Sequence, residues 1–150
     1  MNDLAISFGT PADIRDIAQF QVDMALESEG TVLDINTVIP GVTNAVNDPE
    51  KGRYIVAHAN GRAIASLMLT KEWSDWTNKF YWWIQSVFVA PEYRGRGVYR
   101  AMYNTVKEEA KAEGISQIRL YVDKTNLRAQ KVYQALGMHD SHYFLYEEEI

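Results

Sequence analysis

Apolar residues at helical spacing follow a short strand in the first fifty residues. Leu4–Phe8 predicts that strand. Thr10–Asp13 is typical of a helix start, because threonine caps a helix, proline fits its first position and an acidic residue suits its first turn. A second helix is predicted over residues 36–46, with Pro40 in its first turn because proline lacks a backbone donor. The apolar face of the first helix consists of Ile14, Ile17, Ala18, Val22 and Ala25.

The middle of the chain predicts strands. Tyr54–Ala59 and Arg62–Leu69 flank Asn60–Gly61, a dipeptide that tolerates the positive φ angles of a tight hairpin turn. Lys71–Lys79 mixes polar residues with two tryptophans and predicts a loop. Phe80–Val89 is aromatic and β-branched, which predicts a central strand.

The second half continues with alternating helices and strands. A helix is predicted from Val98 to near Gly114, then a strand over Ile115–Val122. Another helix begins after Asn126 as its N-cap, and a last strand covers His142–Glu147. The order predicts an α/β fold of the α+β type with about four helices, an antiparallel front half and one β-α-β crossover.

Composition limits the class of protein. The chain has 150 residues, of which 47% are apolar and 23% charged, so we expect one folded domain over residues 1–150. The net charge is −5 without a basic run, which argues against a nucleic-acid partner. No apolar run reaches the roughly 18 residues of a membrane span, and the N-terminus lacks a signal-peptide pattern, so we expect a cytoplasmic protein without a membrane partner.

Metal and thiol chemistry are not indicated. There is no cysteine, which removes disulfides and cysteine nucleophiles. The histidines His58, His139 and His142 are not spaced as metal ligands, so we predict no metal site.

The strongest candidate for chemistry is the turn Arg94–Tyr99 between a predicted strand and a predicted helix. Backbone N–H groups at a helix start, together with the helix dipole, attract anions. Gly95 and Gly97 let a phosphate approach the backbone, and Arg96 and Arg100 add positive charge beside Arg94. The turn therefore predicts a diphosphate site.

Other interpretations of this turn remain open from the turn alone. A P-loop requires G-x-x-x-x-G-K-[ST], which is absent. A dinucleotide fingerprint requires a third glycine where Arg100 stands. A tight strand-to-helix turn with solvated arginines would need no ligand.

Two motifs extend the case. Residues 87–98 resemble motif A of the GNAT superfamily of N-acetyltransferases, which is R/Q-x-x-G-x-G/A after a strand. Asn126, Ala129, Tyr133 and Gly137 have the N-x-x-A-x-x-x-Y-x-x-x-G spacing of its motif B. The resemblance implies the GNAT-like acyl-CoA N-acyltransferase fold, a mostly antiparallel sheet with a splayed parallel strand pair. Tyr99 departs from motif A, where a small residue is usual.

The resemblance also implies acetyl-CoA as co-substrate, held in the gap between strands 80–89 and 115–122. The pantetheine arm would pair with the end of the first strand, and the diphosphate would lie on the glycine turn. The cofactor-binding residues implied are Val87, Phe88, Val89, Arg94, Gly95, Arg96, Gly97, Val98, Tyr99, Arg100, Asn126, Ala129 and Tyr133.

For catalysis, the resemblance implies direct attack of an amine on the thioester, with Tyr133 as the general acid that protonates the leaving thiolate. A phenol suits this role because it is protonated at neutral pH. A packed aromatic residue is the alternative for Tyr133. A base is not evident, because strand 80–89 has no carboxylate. Glu27 or Glu29 could face the acceptor, or could form a solvated helix end; a water relay or a neutral amine would need no base.

The acceptor side is less defined. Alternation places Tyr81 and Trp83 on one face of their strand and Trp82 on the other, and one face can line a pocket. We take Glu27, Trp83 and Gln85 as candidate acceptor residues. The acceptor would be a small-molecule or peptide amine, and a homodimer is one assembly to test. The competing function is a CoA-binding or acetyl-CoA-sensing module without transferase activity.

Overall fold

The computed structural model describes residues 3–150, and these form two compact units. The first unit ends at Leu120 and the second covers Tyr121–Ile150. The assignment of one domain to the whole chain stays a prediction. In order along the first unit, the elements are β1 (Leu4–Phe8), α1 (Ile14–Glu29), α2 (Ile35–Asn47), β2 (Arg53–Ala59), β3 (Arg62–Ser74), β4 (Lys79–Val89), α3 (Val98–Ala112) and β5 (Gln117–Arg119). The second unit contains α4 (Leu127–Ala135).

The strands form one mixed sheet in the order β1-β2-β3-β4-β5. Neighbours are antiparallel from β1 to β4, whereas β4 and β5 are parallel and connected through α3. This confirms the predicted fold class, an antiparallel front half followed by one β-α-β crossover. The strand at 80–89 lies inside the sheet, between β3 and β5, as expected.

Both faces of the sheet are covered by helices. α1 and α2 pack on one face, where Ile17, Val42, Tyr54 and Val56 form a buried cluster. α3 contacts β1, β2 and β4 and buries its own apolar side, including the fully buried Met102. Burial of both faces explains why β2 is apolar along most of its length.

Local turn chemistry was predicted correctly in the front half. Asn60 and Gly61 have φ angles of +52° and +77°, and they close the β2–β3 hairpin. Thr10 precedes a short 3₁₀ turn over Pro11–Asp13, where its amide donates to Asp13 Oδ2 at 2.9 Å. The α-helix itself begins later than predicted, at Ile14. Pro40 was placed wrongly, because it lies inside α2 beyond its first turn. The helix begins earlier than predicted, at Ile35, because the Asp34 side chain accepts from the Asn36 amide.

The predicted loop over Lys71–Lys79 is mostly strand. β3 continues to Ser74 and β4 starts at Lys79, so only the turn between them is irregular. The register continues to the Ser74–Lys79 pair, and Trp73 packs edge-on against Phe80 at 4.8 Å between ring centroids. The polar composition led to the wrong prediction. This end of the β3–β4 hairpin is held by ladder hydrogen bonds, which do not require apolar side chains.

Two later strand predictions were wrong in extent or existence. The strand expected over Ile115–Val122 is only β5, three residues long. His142–Glu147 forms no strand in the described chain. A strand requires a ladder partner, and among the described residues of the second unit there is only the helix α4, which offers none.

Candidate active site

The chain between β4 and α3 forms the predicted strand-turn-helix. The Ala90 amide donates to the Ile64 carbonyl at 2.8 Å, which anchors the end of β4 on β3. Gly95 and Gly97 then adopt φ angles of +74° and +79°. A Cβ built on either glycine would meet no other described atom within 4 Å. The turn therefore has both the left-handed backbone that favours glycine and open space beside it.

Helix α3 starts without a side-chain cap. Its N-cap is Gly97, and in the described chain no side chain accepts a hydrogen bond there. The first N–H groups of any α-helix lack acceptors within the helix. The start of α3 therefore offers backbone donors and the positive end of a helix dipole to an anion.

The arginines around this turn differ in their surroundings. Arg96 and Arg100 are exposed, and the Arg96 guanidinium lies 5.7 Å from the Tyr93 ring centre. Arg94 instead donates from Nη1 and Nη2 to the two carboxylate oxygens of Glu27, at 2.6 and 2.9 Å. These hydrogen bonds lower the pKa of Glu27 and raise that of Arg94. The sequence had assigned Arg94 to the cofactor and Glu27 to the acceptor, and the fold joins them to each other.

Tyr99, the departure from the motif, lies in the first turn of α3. Its side chain is half-buried, and its ring lies 6.2 Å from that of Tyr103, one turn further along the helix. The bulky residue is therefore accommodated along the helix, next to another aromatic ring.

β4 changes its pairing near the middle of its length. Its ladder with β5 ends at the pair Trp83–Arg119, and from Ile84 to Val89 its ladder partners in the described chain come from β3 alone. Ser86 has a φ of +55°, and the register with β3 shifts there by one residue, which is a β-bulge. The parallel pair is thus short, and the half of β4 that carries Val87, Phe88 and Val89 lies beyond it.

On one face of β4, polar and aromatic side chains lie together. Tyr81 and Trp83 share this face, whereas Trp82 lies on the other and is only 5% exposed, as the alternation predicted. The Trp83 indole donates to Glu72 Oε1 at 2.9 Å. Gln85 Nε2 donates to the Thr70 hydroxyl at 3.3 Å.

Glu72 is the residue that the sequence analysis missed. It lies on β3 in the segment predicted as a loop, and Arg119 Nη1 approaches its Oε2 at 3.3 Å. The side chains of Thr70 and Glu72 continue the two-residue alternation of β3, and this pattern was the available signal. β3 thus places a carboxylate beside β4, a strand that has none of its own.

In the second unit, α4 carries the motif B residues. The Asn126 side chain accepts from the Ala129 amide at 3.1 Å, which confirms Asn126 as the N-cap. Tyr133 lies within the helix, and burial raises its pKa above the usual value of 10.0. Its hydroxyl is therefore protonated at neutral pH.

Membrane-spanning helices and metal-binding clusters are both absent from the described residues. Within residues 3–150, none of the helices combines the length and the hydrophobicity that a membrane span requires. No group of three or more histidine, aspartate or glutamate residues in the same range could hold a metal ion.

Comparison with known proteins identifies the class. A family model described as the acetyltransferase (GNAT) family matches residues 17–138, and the chain belongs to this family. A solved structure of a possible acetyltransferase from Clostridium difficile 630 is 37% identical, with a TM-score of 0.92 over 98% of this chain and 97% of that one. A predicted acetyltransferase from Clostridium acetobutylicum, solved with acetyl-CoA, is 20% identical with a TM-score of 0.78, covers 97% of this chain and 96% of that one, and shows the shared fold.

Among curated proteins, the thialysine N-epsilon-acetyltransferase of Bos taurus is 38% identical over 68 residues. That stretch is 45% of this chain and 39% of the bovine protein. The match with these curated relatives thus spans about two fifths of their length.

Proposed function

We propose that this protein transfers the acetyl group of acetyl-CoA to a primary amine. The observation that carries the proposal is the uncapped start of α3, where Gly95 and Gly97 open a backbone anion site directly after β4. A diphosphate fits such a site because backbone donors and the helix dipole act on the same anion. Because the chain belongs to the acetyltransferase family, we take this diphosphate to be that of acetyl-CoA.

The main chain at the end of β4 would hold the pantetheine arm. From Ile84 onwards this strand pairs only with β3 in the described chain, which leaves its parallel-side edge without a β5 partner. An extended ligand can use such an edge as an added strand would. Val87 and Val89 would contribute these contacts, and Arg96 and Arg100 would add charge near the diphosphate.

Tyr133 would act as the general acid. The amine nitrogen attacks the thioester carbonyl, the C–S bond breaks, and the departing sulfur takes the phenolic proton. The raised pKa keeps that proton in place at neutral pH. This assignment rests on the motif position and on the protonation state of the phenol.

Glu72 would bind the acceptor amine. Its carboxylate lies on the same face of the sheet as Trp83 and is 42% exposed as a side chain. It pairs with Arg119 at 3.3 Å, so an acceptor amine would share the carboxylate with that arginine. A carboxylate beside aromatic rings attracts an ammonium group through charge and cation–π contact. The bovine relative is named for acetylating the amine of an amino acid side chain, and an acceptor of that type would fit this chemistry.

The compartment is part of the proposal. A chain without cysteine has no need for an oxidising environment, and we place its activity in the cytoplasm.

The test of the proposed function is CoA-thiol release from acetyl-CoA across a panel of amines, including diamines, lysine analogues and peptides. We expect acetyl-CoA to raise the melting temperature and at least one amine to release thiol. Binding without transfer to any amine would support a sensing module instead. Absence of binding would contradict both.

The acceptor assignment has its own variant. Glu72→Gln should raise the KM for the amine about fivefold or more, the size expected for one charge pair, with the KM for acetyl-CoA unchanged. Glu50→Gln is a matched control, because Glu50 is an exposed carboxylate in the turn between α2 and β2 and pairs with Lys71, the residue before Glu72, at 2.8 Å. Equal effects of the two variants on the amine KM would contradict the role of Glu72.

A further inference from the structure

The Arg94 side chain connects helix α1 with the end of strand β4. Its two terminal nitrogens bind the Glu27 carboxylate near the end of α1. Its Nε donates to the Val89 carbonyl at 2.8 Å, at the last residue of β4. Its guanidinium also lies 5.5 Å from the ring centre of Phe88, which in turn stacks on Phe20 of α1. Nη1 and Nη2 thus bind α1, whereas Nε binds the end of β4.

These contacts come immediately before the glycine turn. The Tyr93 amide donates to the Ala90 carbonyl at 2.9 Å, and the Arg94 amide to the Pro91 carbonyl at 3.3 Å. With the Nε bond to Val89, they close the segment between strand and turn into a compact loop. Gly95 follows, and glycine has access to a wider range of backbone conformations than any other residue. The orientation of the turn therefore depends on how firmly Arg94 is held.

The ion pair is too exposed to act mainly on global stability. The side chains of Arg94 and Glu27 are 36% and 53% exposed, and exposed ion pairs of this kind contribute little to the free energy of folding. A bidentate pair nevertheless restricts geometry strongly. Ordering a binding loop before the ligand arrives reduces the entropy lost on binding. The expected benefit is therefore in cofactor affinity.

We propose that Arg94 is a positioning residue, which fixes the glycine turn through Glu27 and the Val89 carbonyl and does not itself contact the diphosphate of acetyl-CoA. The inference rests on the proposed function, because it concerns how CoA is held. It assigns Glu27 to the cofactor side of the site and removes it from the acceptor side.

The two roles for Arg94 predict opposite results for Glu27→Gln. If Arg94 contacts the diphosphate, Glu27 competes with the ligand, and its neutralisation should tighten CoA binding. If Arg94 positions the turn, the same change should weaken CoA binding about fivefold, equivalent to about 1 kcal/mol. Glu29→Gln is the matched control, because it removes an equal charge two residues further along the exposed end of α1.

A second variant separates charge from geometry. Arg94→Lys keeps the positive charge but cannot reproduce the planar fork together with the Nε bond. Positioning predicts that Arg94→Lys weakens CoA binding as much as Arg94→Gln does. It also predicts that the double variant, Glu27→Gln with Arg94→Gln, is no weaker than Arg94→Gln alone, because the pair acts as one unit.

Calorimetric titration with CoA, melting temperatures without ligand, and kcat at saturating acetyl-CoA test the proposal. We expect weaker CoA binding in Glu27→Gln than in Glu29→Gln, with kcat within about twofold of the parent, as expected when only binding is altered. CoA binding in Glu27→Gln equal to or tighter than in Glu29→Gln would overturn it, as would full affinity in Arg94→Lys. Failure of the parent protein to bind CoA would instead reject the proposed function, so the two failures are distinguishable.

Discussion

Helices α3 and α4 both begin after an irregular segment, but their first turns are completed differently. α3 starts at Gly97 in a left-handed conformation, and no side chain of the described residues caps it. α4 starts at Asn126, whose side chain accepts from the Ala129 amide at 3.1 Å. A helix start that satisfies its own amides is stable without a ligand, whereas an uncapped start keeps its donors for one.

This contrast suggests a division of tasks between the two helices. α3 would bind through its backbone, so its sequence needs glycine and tolerates the bulky Tyr99. α4 would act through a side chain, so it needs the hydroxyl of Tyr133 and a start that holds the helix in place. Variants at the two helices should accordingly affect different kinetic constants.

The largest effect is expected at α4. Tyr133→Phe removes the proposed proton donor while keeping the ring, and should lower kcat about a hundredfold, the lower range for loss of a general acid. The dissociation constant for CoA should stay within about twofold, since the backbone site on α3 is untouched. Steady-state kinetics and calorimetric titration measure the two quantities. An unchanged kcat would remove the acid role and with it the division of tasks.

The pH profile is a second test of the same phenol. Burial raises the pKa of Tyr133 above its usual value of 10.0, so the acid form persists below that pKa and is lost as the pH rises through it. If the proton transfer limits turnover, kcat should fall about tenfold per pH unit in that alkaline range and show no such fall near neutral pH. In Tyr133→Phe this alkaline limb should be absent. An alkaline limb that persists in the variant would assign it to another group.

At α3, Gly97→Ala should weaken CoA binding about tenfold or more. The φ of +79° disfavours any Cβ by about 1–2 kcal/mol, and the added methyl would also occupy the open side of the turn. Gly61→Ala is the control, because its φ is +77° and its Cβ would also meet open space, but it lies in the β2–β3 hairpin. CoA affinity of the two variants is measured by titration. An equal loss in both variants would mean that backbone strain, and not the position of Gly97 at the proposed anion site, weakens binding.

The smallest effect concerns the cap of α4. Asn126→Ala should destabilise the helix by about 1 kcal/mol, whereas Asn126→Asp keeps the acceptor oxygen and should be near neutral. Thermal unfolding compares their stabilities, and titration with CoA compares their affinities. If Asn126→Asp is stable but loses CoA affinity, the side-chain amide contacts the cofactor, and the start of α4 binds ligand as well.

Much of the candidate site could be predicted from sequence because its parts are short. The turn Arg94–Tyr99, the cap at Asn126 and the hairpin at Asn60–Gly61 each depend on residues no more than a few positions apart. Glycine and asparagine at these points determine local backbone angles and caps directly. Hence the strand-turn-helix and the start of α4 were identified with little error.

The misplaced elements depend on partners that are distant in sequence. Lys71–Lys79 looked like a loop because its side chains are polar, but the ladder with β4 keeps most of it in strand. His142–Glu147 looked like a strand because of its side chains, but in the described chain it has no ladder. In both cases the hydrogen-bond partner, and not the composition, determined the result.

The amino-acid sequence by itself determined the turns at Asn60–Gly61 and Arg94–Tyr99 and the starts of α3 and α4, because these features close within one helical turn. The proposed diphosphate site belongs to the same local stretch of chain. Only the tertiary structure decided which side chains contact each other. Arg94 and Glu27 are 67 residues apart, and Glu72 on β3 accepts a hydrogen bond from Trp83 on the neighbouring strand β4. Such pairs follow from sheet register and from the packing of α1 beside the end of β4, which no short stretch of sequence encodes.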